Sequence, residues 1–143
     1  MRLTLRAVAA AAAVVAFAPF VPSMAATQTY KADLKAANEV PANDSKGTGT
    51  LTATYDTDTK KLTYNVNYDG LSGPATMAHF HGPADAKTNA GVVVPVKEMA
   101  PKTLKGEATL TDAQAADLMA GKWYFNIHTE KNKGGEIRGQ VTK

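Results

Sequence analysis

From Tyr30 onward, polar and apolar residues change places over short stretches, at the period that turns successive side chains of a strand to opposite faces. Tyr30 to Ala36 alternates weakly and reads as a first strand. Thr50 to Tyr55 and Leu62 to Tyr68 are rich in Thr, Tyr and Val, and the polar turn Asp56 to Lys60 joins them as a β-hairpin. Asp69-Gly70 and Ser72-Gly73-Pro74 break the chain before a strand at Thr76 to His81. Gly82 to Gly91 is a loop by composition. Val92 to Val96 is a short strand that Pro95 assigns to a sheet edge. Leu104 to Leu110 is a further strand, and Thr111-Asp112 caps a helix through Met119 that Gly121 ends. Lys122 to Thr129 and Glu136 to Val141 form a last hairpin. Strands at this spacing predict an all-β fold: an antiparallel β-sandwich or flattened Greek-key barrel with one short helix.

The first residues follow a different rule. Arg2 and Arg6 precede an almost wholly apolar run from Ala7 to Val21, and Ser23-Met24-Ala25 supplies the small-x-small pattern of a signal-peptidase site. The run falls short of the roughly 20 residues that a membrane span needs, and Pro19 and Pro22 punctuate its end. Residues 1–25 are therefore expected to be a signal peptide, cut after Ala25 or Ala26. Residues 26–143 are expected to form one domain, periplasmic or secreted and off the membrane once cut. Loss of Arg2 and Arg6 would leave 14 basic against 13 acidic residues, a net charge of +1. Lys60-Lys61 and Lys131-Lys133 read as solvated turn lysines, so no nucleic-acid partner is expected. There is no cysteine, which excludes disulfides, thiolate metal sites and cysteine nucleophiles.

The chain has three histidines, and parity puts them on one face. His79 and His81 share a side of their strand, with Met77, while Phe80 points the other way. On the strand ending at Thr129, the bulky Trp123, Phe125 and Ile127 belong to the core, so Tyr124, Asn126 and His128 face away from it. On the last strand Ile137, Gly139 and Val141 share the core side, leaving Glu136, Arg138 and Gln140 opposite. Single strand histidines are usually surface or hydrogen-bonding residues. Three imidazoles on one polar face are harder to assign to packing, and imidazole suits copper, zinc, iron or nickel. His79, His81 and His128 are thus the candidate metal ligands. Met77 reads as packing, though a thioether could serve Cu(I). Glu39 or Glu130 could orient an imidazole through its second nitrogen. Arg138 reads as either a structural partner of Glu136 or Glu130 or a group beside the metal.

Several blocks carry a family likeness. Asn38-Glu39-Val40-Pro41, Gly70-Leu71-Ser72-Gly73, Ala78-His79-Phe80-His81-Gly82, Asn126-Ile127-His128-Thr129 and Gly135 to Val141 resemble, in order, the blocks of the CHRD domain, known from chordin and from small exported bacterial proteins. The resemblance implies a fold and an extracytoplasmic address for residues 26–143. A looser likeness is to copper–zinc superoxide dismutases. These also carry His-x-His on one strand and a copper-binding His on a late strand, followed by a Gly-rich loop and an anion-guiding arginine. Here His79, His81, His128, Gly134-Gly135 and Arg138 keep that order, but no histidine remains for a bridging ligand or a zinc site. The likeness implies one copper ion, with zinc as the other option, and Arg138 as an anion guide, the single catalytic candidate. Copper carriage or buffering is then expected ahead of superoxide chemistry. The alternative is a non-catalytic interaction module without metal, whose partner is an extracytoplasmic protein.

Overall fold

A computed structural model describes residues 26–143; the proposed signal peptide lies outside the described residues. Eight strands, β1 (Thr27–Lys35), β2 (Thr48–Asp56), β3 (Lys61–Asp69), β4 (Ala75–His81), β5 (Val92–Pro95), β6 (Thr103–Thr109), β7 (Trp123–Thr129) and β8 (Ile137–Val141), are joined by one helix, α1 (Asp112–Met119), and a 3₁₀ turn at Ala36–Asn38. The strands form one sheet in the order β5-β4-β7-β8-β1-β2-β3-β6, with every pairing antiparallel. The sheet curls on itself. Tyr64 of β3 meets Phe80 of β4 edge-on at 5.1 Å between ring centroids, although four strands separate β3 from β4 in the sheet. The fold is the expected flattened all-β barrel with one short helix.

Local chemistry sets the elements. In the β2–β3 turn the Asp56 carboxylate accepts from the Asp58 and Thr59 N–H groups, and Lys60 takes φ 58° to close the hairpin. Alternation then buries Leu51, Ala53 and Tyr55 of β2 with Leu62, Tyr64 and Val66 of β3. Pro95 does sit on an edge strand. Thr111 and Gln114 form a reciprocal capping box at the start of α1, whose Ala115 and Leu118 pack into the core. The inner faces of β4, β7 and β8 give Phe80, Trp123, Phe125, Ile127, Ile137 and Val141 to the same cluster, all fully enclosed. Among the described residues, no helix is long and apolar enough to cross a membrane.

One feature exceeds what alternation predicts. Every residue of β7 is buried, on both faces. Three segments cover its outer face: the strap 82–91, the turn after β1 that carries Glu39, and the β7–β8 connection 130–136. The strap starts by close approach, since a Cβ at Gly82 would stand 2.6 Å from the Trp123 ring and 2.9 Å from the Lys122 carbonyl. Over β7 and β8 the polar side of the sheet is therefore a second, buried layer.

Candidate metal centre

β4 and β7 are neighbours, and their register pairs Met77 with His128, His79 with Asn126, and His81 with Tyr124. A bulge lies between Ala75 and Met77, with the Thr76 hydroxyl donating to the His128 carbonyl at 3.3 Å. The predicted common face is thus one cluster. One ring nitrogen from each of His79, His81 and His128 lies within 4.8 Å of the others. His79 Nδ1 stands 3.2 Å from His128 Nε2. A metal–nitrogen bond of about 2.0–2.1 Å in tetrahedral geometry puts ligand nitrogens about 3.3 Å apart. That pair is already at ligand spacing.

The backbone decides which nitrogens are free. His81 Nδ1 is 2.9 Å from the Ala90 carbonyl, and His128 Nδ1 is 2.9 Å from the Lys133 carbonyl. A carbonyl only accepts, so both Nδ1 atoms carry the proton. In the neutral rings both Nε2 atoms then present lone pairs. Each faces Asn126 Oδ1 at 3.0 Å, itself an acceptor in the assigned amide orientation. A second proton on His81 would relieve its contact but is disfavoured. Burial, then the neighbouring imidazoles, push His79 down to about 4. Burial also lowers His81, helped by charge on His128 and Arg138 and opposed by its hydrogen bonds to Ala90 and Asn126. Ring nitrogens converging on one point, two of them facing an acceptor, form an arrangement able to take a cation.

Arg138 is fully buried, with its guanidinium 3.4 Å over the Tyr124 ring. Tyr124 in turn stacks on His81, with centroids 4.7 Å apart and planes 3° from parallel. Nη1 donates to Asn89 Oδ1 at 2.8 Å, and Nη2 donates to the Asp85 and Thr88 carbonyls at 3.2 and 2.7 Å. The guanidinium therefore binds the strap that brings Ala90 to His81, and it forms no ion pair with Glu136 or Glu130. Glu39 is buried beside Asn126, which hydrogen-bonds to it, and desolvation raises its carboxyl to about 7 against the pull of Arg138. Its Oε1 has no partner. Gly135, at φ 128°, leaves room for this contact, because a Cβ there would strike Glu39 Oε1 and stand 2.7 Å from Asn126 Nδ2.

The three histidines thus come together as parity predicts. Arg138 is adjacent but enclosed. Glu39 contacts Asn126 instead of an imidazole, because backbone carbonyls have taken the second ring nitrogens of His81 and His128. Glu130 is exposed and lies 3.6 Å from Lys133. Met77 is 48% exposed and does not pack into the core. Sequence reasoning placed Asn126 and Tyr124 on the right face without giving either a task. It gave Glu136 only as a partner for Arg138, whereas its carboxylate ties the 43–47 and 70–73 loops to the last hairpin.

The CHRD domain family model matches residues 30–141. Neither the comparison with curated proteins nor that with solved structures gave a match.

Proposed function

The chain belongs to the CHRD domain family, and on that premise we propose that this member is an exported copper-binding protein, holding one ion through His79, His81 and His128 for carriage or buffering. The observation that carries the reading is the convergence of two Nε2 lone pairs, fixed by the Ala90 and Lys133 carbonyls, with His79 Nδ1. Three neutral imidazoles suit copper and zinc alike. The sequence order of His79, His81, His128, Gly134-Gly135 and Arg138, which resembles that of copper–zinc superoxide dismutases, favours copper by analogy. The carbonyls hold the rings in their ligating orientation, as carboxylates or carbonyls behind metal-bound histidines commonly do. Arg138, engaged on the strap, supports a holding role more than anion guidance, and this weighs for carriage over superoxide chemistry. Export rests on the pattern of residues 1–25. Intact mass of protein from the extracytoplasmic fraction should begin near Ala26 or Thr27, and full-length chain in that fraction would contradict it.

A metal-free interaction module is the second reading, favoured by one feature. Turned the other way, the Asn126 amide would donate from Nδ2 to both Nε2 atoms and satisfy the cluster without an ion. Calorimetric titration of chelator-treated protein separates the two. Binding of one copper ion per chain, weakened at least tenfold by His81→Ala and by His128→Ala but not by Lys131→Ala, supports the metal reading. Titrations without heat in the wild type leave the interaction module.

A further inference from the structure

We infer that Met77 supplies a fourth, thioether ligand, and that the site is built for Cu(I). This deepens the three-histidine reading and rests on it. Met77 lies two residues before His79 on the same face of β4, and directly opposite His128 on β7. It therefore flanks the two rings whose nitrogens are already at ligand spacing. Directly paired strand residues have Cα atoms about 4.5–5.5 Å apart, within reach of a side chain with three rotatable bonds.

The other two rings are buried. His81 is covered by the Tyr124 ring and the Ala90 carbonyl, His128 by the Lys133 carbonyl, and Asn126 lies between them. His79 is the only histidine of the trio that is not buried, so the cluster opens on its side. That is where Met77 stands, 48% exposed. Val92 and Met119 are exposed too, and an isolated surface apolar residue needs no explanation. Placement is what singles out Met77. The β4 bulge ends at this residue, and the neighbouring Thr76 hydroxyl fastens the backbone of its partner His128. Bulges beside functional sites re-aim side chains in this way. A thioether is a soft donor: it adds little for Zn(II) and much for Cu(I).

The test uses the chelator-treated protein and the metals alone. Cu(I), kept reduced without oxygen, is titrated in competition with a chromogenic chelator, and Zn(II) is titrated in parallel. Met77→Leu preserves volume at an exposed position, so folding is not at stake. Cu(I) affinity should fall at least tenfold while Zn(II) affinity changes less than threefold. X-ray absorption of the Cu(I) form should show one sulfur neighbour at about 2.3 Å, near the usual metal–sulfur distance, which Met77→Leu removes. A wild-type spectrum with nitrogen and oxygen neighbours alone, or equal Cu(I) affinity in both proteins, overturns the assignment. His128→Ala tells which idea has failed. If it abolishes metal binding while Met77→Leu changes nothing, the three histidines stand and Met77 falls. If the wild type binds neither ion, both fall.

Discussion

The most exacting test of the structure lies beside the histidine cluster, at Glu136. This carboxylate has no exposure to solvent, yet it is held ionised. Oε1 accepts from the Ser45 hydroxyl and the Ser72 N–H, both at 2.6 Å. Oε2 accepts from the Ser72 hydroxyl at 2.6 Å, Asn132 Nδ2 at 3.0 Å and the Thr129 hydroxyl. Burial alone would raise the acid. The hydrogen bonds from Ser45, Ser72, Thr129 and Asn132 together overcome it and bring Glu136 from 4.5 to about 2. At about 1.4 kcal/mol per pH unit, that gap favours the charged form in the fold by about 3 kcal/mol. Because the folded value is depressed, the contribution is complete above the unfolded value of 4.5 and is lost as pH falls towards 2. Glu136→Gln mimics the protonated acid in shape. It should cost about 3 kcal/mol at pH 7, a fall in Tm of the order of 12 °C, and almost nothing at pH 2. Urea denaturation of both proteins from pH 7 to pH 2 measures this. Parallel stability curves, or a cost under 1 kcal/mol at pH 7, would refute the reasoning.

Two further outcomes follow from the proposed metal site. With His79 near 4 and His81 also lowered, copper affinity should persist below the 6.5 at which an ordinary histidine protonates. A calorimetric series should therefore show less than a hundredfold loss between pH 7.5 and 5.5, whereas two rings titrating at 6.5 would give about a hundredfold by themselves. Arg138→Gln should free the strap at Asp85, Thr88 and Asn89, costing about 2–4 kcal/mol as buried charge-assisted hydrogen bonds are lost. Hydrogen exchange should then rise over residues 82–91 and copper binding should weaken, because Ala90 no longer orients His81. Full copper affinity with an unchanged strap would return Arg138 to the role of anion guide.

The fold was legible in the sequence wherever a decision depended on near neighbours. Asp56 to Lys60 has turn chemistry, Thr111 and Gln114 are spaced as a capping box, and the parity of Phe80 against Phe125 assigns the inner faces of β4 and β7. The same parity put His79, His81, His128, Asn126 and Arg138 on one side. It did not show that this side is covered, because the cover comes from chain segments distant in sequence. Asn89 lies 49 residues from both Val40 and Arg138, yet it bonds to each. The atoms that set the imidazole tautomers are the carbonyls of Ala90 and Lys133. Every residue has a carbonyl, so no residue type announces this role.

That distinction explains why Glu39 and Arg138 read differently in three dimensions. A carboxylate in a loop and an arginine on a strand suggest solvent, a surface ion pair or an anion path. Under a polar lid each must be satisfied where it lies. Arg138 is satisfied by loop carbonyls and the Tyr124 face, and so fastens the lid to the sheet. Glu39 stays half-satisfied, with its carboxyl raised to about 7 and one oxygen unpartnered beside Asn126. The buried layer is therefore well paired around Glu136, while Glu39 Oε1, Gln140 Oε1 and Trp123 Nε1 lack a partner and Asn126 Oδ1 faces the Nε2 atoms of His81 and His128. Native proteins leave few buried polar groups unmet. Acceptor facing acceptor at His81 and His128 is the structural reason for looking there for an ion.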